Sequence, residues 1–205
     1  MGWRSWWLMS RSSFFLLFSF IVIHAREISW SPVREPGVGG AVTSLAVNPA
    51  NPQQILAAGD MLGPSASDDG GSTWGDSFGL KNWECTEATW KPGSTTEVWL
   101  GTMGGPYVSN DGGRHWREKR DGFPVAETYW GYSAPIQKIL FAPGKTNHLL
   151  AFGGCRREWI NTNQAKSGYG AVWESKDGGE RWTLKSTVAA GADIRSATFA
   201  GGGRA

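Results

Sequence analysis

The sequence predicts an all-β fold: a β-propeller of four-stranded antiparallel blades, with three blades and part of a fourth present. Three observations lead to this prediction. The pattern S-x-D-G-G-x-x-W occurs three times in 205 residues. A segment with the order strand, Pro-containing turn, strand precedes each occurrence. The rest of the sequence is rich in turn residues and has no sustained 3.6-residue period. Such repeats indicate stacked supersecondary units.

Residues 1–25 are predicted to be a signal peptide. Two arginines precede the apolar run 14–23, which is too short to span a bilayer, and a cleavage site follows Ala25. We therefore expect the protein to be secreted, or to reside in the lumen of the secretory pathway. An uncleaved membrane anchor is the alternative, because tryptophans upstream extend the apolar character of the run.

The composition excludes several function classes. The chain has 20 basic and 18 acidic residues, and two of the basic ones lie in the signal peptide, so the mature charge is near zero. Nucleic-acid binding normally requires a basic surface, and none is predicted. The histidines His24, His115 and His148 are scattered and indicate neither a metal site nor a Ser-His-Asp triad. We predict no cofactor, no metal, no nucleic-acid partner and no membrane span in the mature chain.

The segments 41–59, 84–102 and 135–153 align on Pro49, Pro92 and Pro143. Each is predicted to form strands A and B of a blade, and the eight-residue pattern then forms the turn between strands C and D. The predicted blades lie near 41–76, 84–118 and 135–185, with a stub at 193–205. Because an open array of blades would expose strand edges, we interpret the sequence as an N-terminal fragment of a longer propeller.

The three eight-residue patterns, called boxes 1 to 3 from here on, are predicted to be hairpin turns. Glycine supplies the positive φ of a tight turn, the aspartate and serine accept hydrogen bonds from backbone amides, and the tryptophan is buried. Turn chemistry explains all of these residues, so their predicted role is structural and not catalytic. The residues are Ser67, Asp69, Gly71 and Trp74 in box 1, Ser109, Asp111, Gly113 and Trp116 in box 2, and Ser175, Asp177, Gly179 and Trp182 in box 3.

The boxes resemble those of the Asp-box, or bacterial neuraminidase repeat, family of β-propellers. This family includes sialidases, xyloglucanase-type glycoside hydrolases and sortilin-type receptors, and its boxes are structural. A sialidase would also need an arginine cluster for the substrate carboxylate, and no motif in this sequence supports one.

Residues 37–60 resemble the opening of xyloglucanase-type hydrolases: a glycine cluster, a strand, an Asn-Pro turn, a second strand and an aspartate. The resemblance implies that Asp60 is one of two catalytic carboxylates. The repeat scaffold does not require Asp60, because Met103 and Gly154 occupy the aligned positions. The chain departs from that family after Asp60, where residues 61–64 replace a double glycine and an aromatic residue, and the second carboxylate is not within these residues.

The repeats differ in length mainly at 75–83, 117–134 and 154–170, and we predict that these loops lie on the propeller face opposite the boxes. Loops on a rigid scaffold are where binding residues concentrate. Aromatic rings suit the stacking of sugar rings, and the predicted substrate-binding residues are Trp83, Tyr129, Trp130 and Trp159. The alternative is that these rings fill gaps between blades.

Two hypotheses of function follow. The first is a secreted carbohydrate-active propeller, similar to xyloglucanase-type hydrolases, which binds a polysaccharide or oligosaccharide and is incomplete as an enzyme in this chain. The second is a non-enzymatic, sortilin-like propeller that binds a protein or peptide ligand. Whether the chain is an enzyme stays open at this point.

Cys85 and Cys155 are the only cysteines of the chain. In an oxidising compartment they are predicted to form a disulfide between adjacent blades, which would close a loop of about 70 residues. The alternative is two buried free thiols, because the blade spacing can exceed the separation that a disulfide tolerates.

Overall fold

The computed structural model describes residues 36–124, 133–155, 169–190 and 192–200. Within these ranges the regular secondary structure consists of β-strands, which form three antiparallel sheets. The predicted all-β fold with antiparallel blades is therefore confirmed. In the part of the chain that the structure describes, no helix has the length and apolar character needed to cross a membrane.

Each sheet is one blade with its strands in chain order, so neighbouring strands are joined by hairpins. Blade 1 has three strands, and an isolated bridge between Ala66 and Gly75 stands where a fourth would be. The strands are β1 (Val42–Asn48), β2 (Asn51–Gly59) and β3 (Pro64–Ser67) in blade 1; β4 (Cys85–Trp90), β5 (Val98–Thr102), β6 (Gly105–Ser109) and β7 (Arg117–Glu118) in blade 2; and β8 (Ile136–Ala142), β9 (Lys145–Cys155), β10 (Tyr169–Ser175) and β11 (Thr183–Ala190) in blade 3.

The first strand of every blade has an irregularity of register at the same place. It falls between Val42 and Ser44 in β1, and at the corresponding positions of β4 and β8. The residue inside the irregularity contacts the next blade: Thr43 Oγ1 donates to the carbonyl oxygen of Cys85 at 2.9 Å. Thr86 Oγ1 donates to the carbonyl oxygen of Ile136 in the same way. A β-bulge therefore joins the first strands of adjacent blades.

The core consists of two clusters, one between each pair of neighbouring blades. The first contains Leu56 and Ala58 of blade 1 together with Trp90, Leu100 and Trp116 of blade 2. The second packs residues of blade 2 against blade 3, and its aromatic members are Trp99, Phe123, Trp173 and Trp182. Burial of these aliphatic and aromatic side chains between the blades helps to hold the blades together.

Boxes 2 and 3 each rest on the preceding blade. The second glycine of box 2, Gly113, has a φ of +97°. A Cβ at this glycine would lie 2.6 Å from Leu56 Cδ1 of blade 1. Gly179 of box 3 approaches Trp99 of blade 2 in the same manner, with a 2.0 Å contact for a Cβ. The second glycine is therefore required both by the turn and by the close approach of the neighbouring blade.

The connections between blades run beside the next box, which corrects the prediction that 75–83 and 117–134 lie wholly on the opposite face. Phe78 N–H donates to the carbonyl oxygen of Arg114, and Trp116 N–H donates to that of Phe78, both at 2.8 Å. Trp182 N–H donates to the carbonyl oxygen of Asp121 at 2.8 Å, one blade later. These backbone hydrogen bonds hold the first half of each connection against the C-terminal end of the following box.

Two faces of the described array carry exposed apolar side chains. On β1, Leu45 is 62% exposed and Val47 is 48% exposed. On β11, at the other end of the array, Leu184 and Val188 are also exposed. Residues at the corresponding place in β4, Ala88 and Trp90, are buried because blade 1 covers them.

Candidate functional site

Asp60 directly follows β2, at the tip of the turn that leads to β3. The backbone N–H of Ala41 donates to Asp60 Oδ1 at 2.8 Å, and Asp60 N–H donates to the carbonyl oxygen of Ala41 at 3.2 Å. Among the described residues, Ala41 is the one hydrogen-bond partner of the carboxylate. The Oδ1 atom of the carboxylate is therefore held by the backbone.

The glycine cluster before β1 makes room for the Asp60 turn. Gly40 has a φ of +58°. A Cβ at this residue would lie 2.1 Å from Asp60 Oδ1. A Cβ at Gly39 would overlap the side chain of Leu62, and Leu62 N–H donates to the carbonyl oxygen of Val38 at 3.0 Å. The glycine cluster and the Asp60 turn therefore pack closely against each other. The sequence pattern alone did not reveal this packing.

A groove of about 490 Å³ lies along the outer edge of blade 1. It extends from the Asp60 turn, through the start of β3, to the connection between blades 1 and 2. We call it the outer groove. Its main lining residues are Leu62, Pro64, Trp74, Asp76, Phe78 and Trp83.

Trp83 is the one predicted substrate-binding residue that falls within the described ranges, and it lines the outer groove. The residue is 53% exposed, yet its Nε1–H donates to the carbonyl oxygen of Leu80 at 2.9 Å. The indole is therefore held at its pyrrole edge while its faces stay accessible. Tyr129, Trp130 and Trp159 lie outside the described residues.

The box carboxylates are occupied by their own turns. Asp69 accepts hydrogen bonds from the hydroxyl and the backbone N–H of Thr73, at 2.6 and 2.8 Å. These bonds, the hydroxyl first, lower the pKa of Asp69 to about 2. At Asp111, desolvation raises the pKa, but bonds from His115 and Ser109 outweigh it and the pKa falls to about 2. The third carboxylate, Asp177, also has a lowered pKa, chiefly because the Arg181 N–H donates to it.

The described residues contain no group of three or more His, Cys, Asp or Glu side chains that could hold a metal ion. Several ion pairs lie on the described blades. Lys138 pairs with Glu87 at 2.8 Å between the first strands of blades 2 and 3. His148 and Lys185 both contact Glu174 on blade 3, at 2.8 and 3.1 Å.

The predicted disulfide is absent, since Cys85 is a buried free thiol. Its side chain packs in the cluster between blades 1 and 2, with Leu56 and Ala58, and its Sγ lies 3.4 Å from the carbonyl oxygen of Trp83. Cys155 is the last residue of β9 in blade 3, and blade 2 lies between blade 3 and the cluster that contains Cys85. The prediction was wrong because the side chain of Cys85 faces the preceding blade. Burial raises the pKa of this thiol to about 12.

No protein-family model matches the chain, and no curated protein sequence matches it either. Several solved structures, however, are similar to the chain. An ancestral GH74 enzyme aligns over 79% of this chain with 27% identity and a TM-score of 0.58, and the aligned part is 20% of that enzyme. The chain thus spans about a fifth of the length of this enzyme, and the likeness supports the propeller fold.

Two further likenesses have TM-scores too low to support an argument. The GH74 xyloglucanase from Xanthomonas campestris aligns over 68% of this chain and 29% of its own, with 16% identity and a TM-score of 0.33. The protein YCF48 bound to D1 peptide aligns over 70% of this chain and 67% of its own, with 12% identity and a TM-score of 0.37.

Proposed function

We propose that this chain is part of a secreted, carbohydrate-active Asp-box β-propeller, similar to xyloglucanase-type glycoside hydrolases, in which Asp60 is one catalytic carboxylate. The observation that carries the proposal is the position of Asp60. It follows strand B of the first blade, in a chain that aligns over 79% of its length with an ancestral GH74 enzyme.

The surroundings of Asp60 support a chemical role. The Ala41 N–H holds Oδ1 at 2.8 Å and fixes the orientation of the carboxylate. Gly40 allows the backbone to come this close, because a Cβ would collide with Oδ1. Orientation by a rigid backbone donor is what a group acting on a glycosidic bond requires, since catalysis depends on a fixed geometry.

Glycoside hydrolysis needs two carboxylic groups at a defined separation, one that protonates the leaving oxygen and one that activates water or attacks the sugar. No residue of this chain is assigned as the second carboxylate. We therefore expect the 205-residue chain to bind β-glucan oligosaccharides without hydrolysing them.

The test is a titration of the chain with cellotetraose and with a xyloglucan heptasaccharide, measured by calorimetry, together with an assay for new reducing ends. Asp60→Asn is expected to weaken binding, because the amide replaces one hydrogen-bond acceptor with a donor. Asp68→Asn is the matched control, since Asp68 is an exposed carboxylate of box 1 that pairs with Arg114. Absence of saturable binding by every saccharide would overturn the proposal and favour the sortilin-like alternative, in which the ligand is a protein or peptide.

A further inference from the structure

We propose that the outer groove is a second saccharide-binding site, with a lining that does not include Asp60, and that it takes a neutral oligosaccharide of β-linked pyranose units. The groove follows the outer edge of β3, where the Ala66–Gly75 bridge replaces a fourth strand. Its volume of about 490 Å³ is within the range of small-ligand sites. The choice of a glucan as the ligand rests on the proposed function, whereas the site itself rests on the geometry of the groove.

Two aromatic rings of the groove are exposed and yet held in place. Phe78 is 58% exposed, and its backbone forms hydrogen bonds to both Arg114 and Trp116 of box 2. The Phe78 ring lies against the His115 ring, with centroids 5.8 Å apart. Trp83 is fixed by its bond to the Leu80 carbonyl oxygen. A ring that is already ordered loses little entropy when a ligand stacks on it, which favours binding.

Three polar side chains that line the groove can accept hydrogen bonds. Among the described residues, the Asp76 carboxylate has no hydrogen-bond partner, and Asp76 is exposed. The hydroxyls of Ser65 and Ser77 already donate to the carbonyl oxygens of Gly75 and Gly113, so their oxygens have only acceptor positions left. Sugar hydroxyls can donate to all three groups while the C–H face of the pyranose covers a ring.

The charge of the groove selects against anionic ligands. Among the residues that the structure describes, its lining contains one carboxylate and no lysine, arginine or histidine. A polymer of uronic acids would bring its own carboxylates close to Asp76, and the neighbouring Arg114 is already paired with Asp68, so this approach is unfavourable. A neutral glucan avoids this repulsion, and we therefore expect it to bind in preference to an anionic oligosaccharide.

The test compares the wild-type chain with Phe78→Ala, Trp83→Ala and Trp83→Phe in calorimetric titrations with cellotetraose. Each alanine variant is expected to weaken binding about tenfold, because it removes one stacking surface. Trp83→Phe should keep most of the affinity, since it retains a ring. Leu184→Ala is the matched control, because it removes an exposed apolar side chain far along the chain on β11. Thermal unfolding of each variant establishes that it is folded.

A second readout locates the ligand. The indole N–H resonance of Trp83 is identified by its absence from the spectrum of Trp83→Phe, and it should shift as cellotetraose is added. Tetragalacturonate should cause no shift. Unchanged affinity in both alanine variants would overturn the proposal, and so would tighter binding of the cationic peptide Lys-Trp-Lys than of cellotetraose.

The same titrations separate this proposal from the assignment of Asp60. If Asp60→Asn abolishes binding and the ring variants do not, the groove proposal fails while the proposed function survives. If the ring variants lose affinity and Asp60→Asn keeps it, the groove is supported and the role of Asp60 is contradicted. Loss in both sets supports both proposals, and no binding by the wild type overturns both.

Discussion

Trp116 N–H donates to the carbonyl oxygen of Phe78 at 2.8 Å, which ties box 2 to the connection that leaves blade 1. Gly79 follows Phe78 with a φ of +91°. A Cβ at this glycine would lie 2.3 Å from the carbonyl oxygen of Trp116. Gly122 has the same relation to Trp182, with a φ of +96° and a 2.0 Å contact. Two consecutive blades therefore share a backbone contact that only glycine permits.

The first prediction concerns this contact. Gly79→Ala should destabilise the protein by about 3 kcal/mol, because it combines an unfavourable φ with a backbone collision. Gly93→Ala is the control: Gly93 also has a positive φ, of +76°, but a Cβ there would meet nothing within 4 Å. It should cost only about 1 kcal/mol. Equal losses of unfolding free energy in urea titrations would show that the collision does not matter.

The second prediction concerns the box tryptophans. Trp116 is only 4% exposed and packs between blades 1 and 2, so Trp116→Ala should cost about 3 to 5 kcal/mol. Trp83→Ala removes an exposed indole and should change the stability by about 0.5 kcal/mol or less. An unchanged melting temperature for Trp116→Ala would contradict the assignment of that ring to the core.

The third prediction is a dependence of stability on pH. The pKa of Asp69 falls to about 2 from an ordinary value of 3.8 because the box donates hydrogen bonds to the carboxylate. A lowered folded-state pKa stabilises the fold above the unfolded pKa, and this contribution disappears as the pH falls towards the folded value. The difference in unfolding free energy between wild type and Asp69→Asn should therefore be largest above pH about 4 and shrink towards pH about 2. A difference that stays constant over this range would contradict the prediction.

The fourth prediction concerns Cys85. Because its thiol is buried and its pKa is raised to about 12, it should not react with an alkylating reagent in the folded protein at neutral pH. In denaturant, without any reductant, it should be alkylated completely, as intact mass will show. Alkylation of Cys85 only after reduction would mean that the thiol is in a disulfide.

The box turns could be predicted because the residues that form their hydrogen bonds lie within eight residues. The Ser, Asp and Gly positions form the turn, and the same hydrogen bonds recur, such as Gly71 N–H and Gly113 N–H to their serine hydroxyls at 2.9 and 2.8 Å. The coupling of Phe78 to Trp116 and of Asp121 to Trp182 was missed, because the two partners of each bond are far apart in the chain and their separation differs between the blades.

The direction of Cys85 was missed for a different reason. The register of β4 against β5 shifts between Cys85 and Glu87, and a shift of one residue reverses which face a side chain occupies. The repeat alignment places Cys85 correctly along the strand but contains no information about this bulge. The outer groove escaped prediction as well, since it depends on the lack of a full fourth strand in blade 1, where Ala66 and Gly75 form only a bridge.

The contacts of boxes 2 and 3 with the preceding blade set an order for folding during synthesis. Box 2 needs Leu56 and Phe78, and box 3 needs Trp99 and Asp121, and these partners all leave the ribosome before the box does. Blades 2 and 3 therefore each find their docking surface already made when they are synthesised. Growth in this direction keeps apolar edges exposed for a short time only, which limits aggregation while the chain is incomplete.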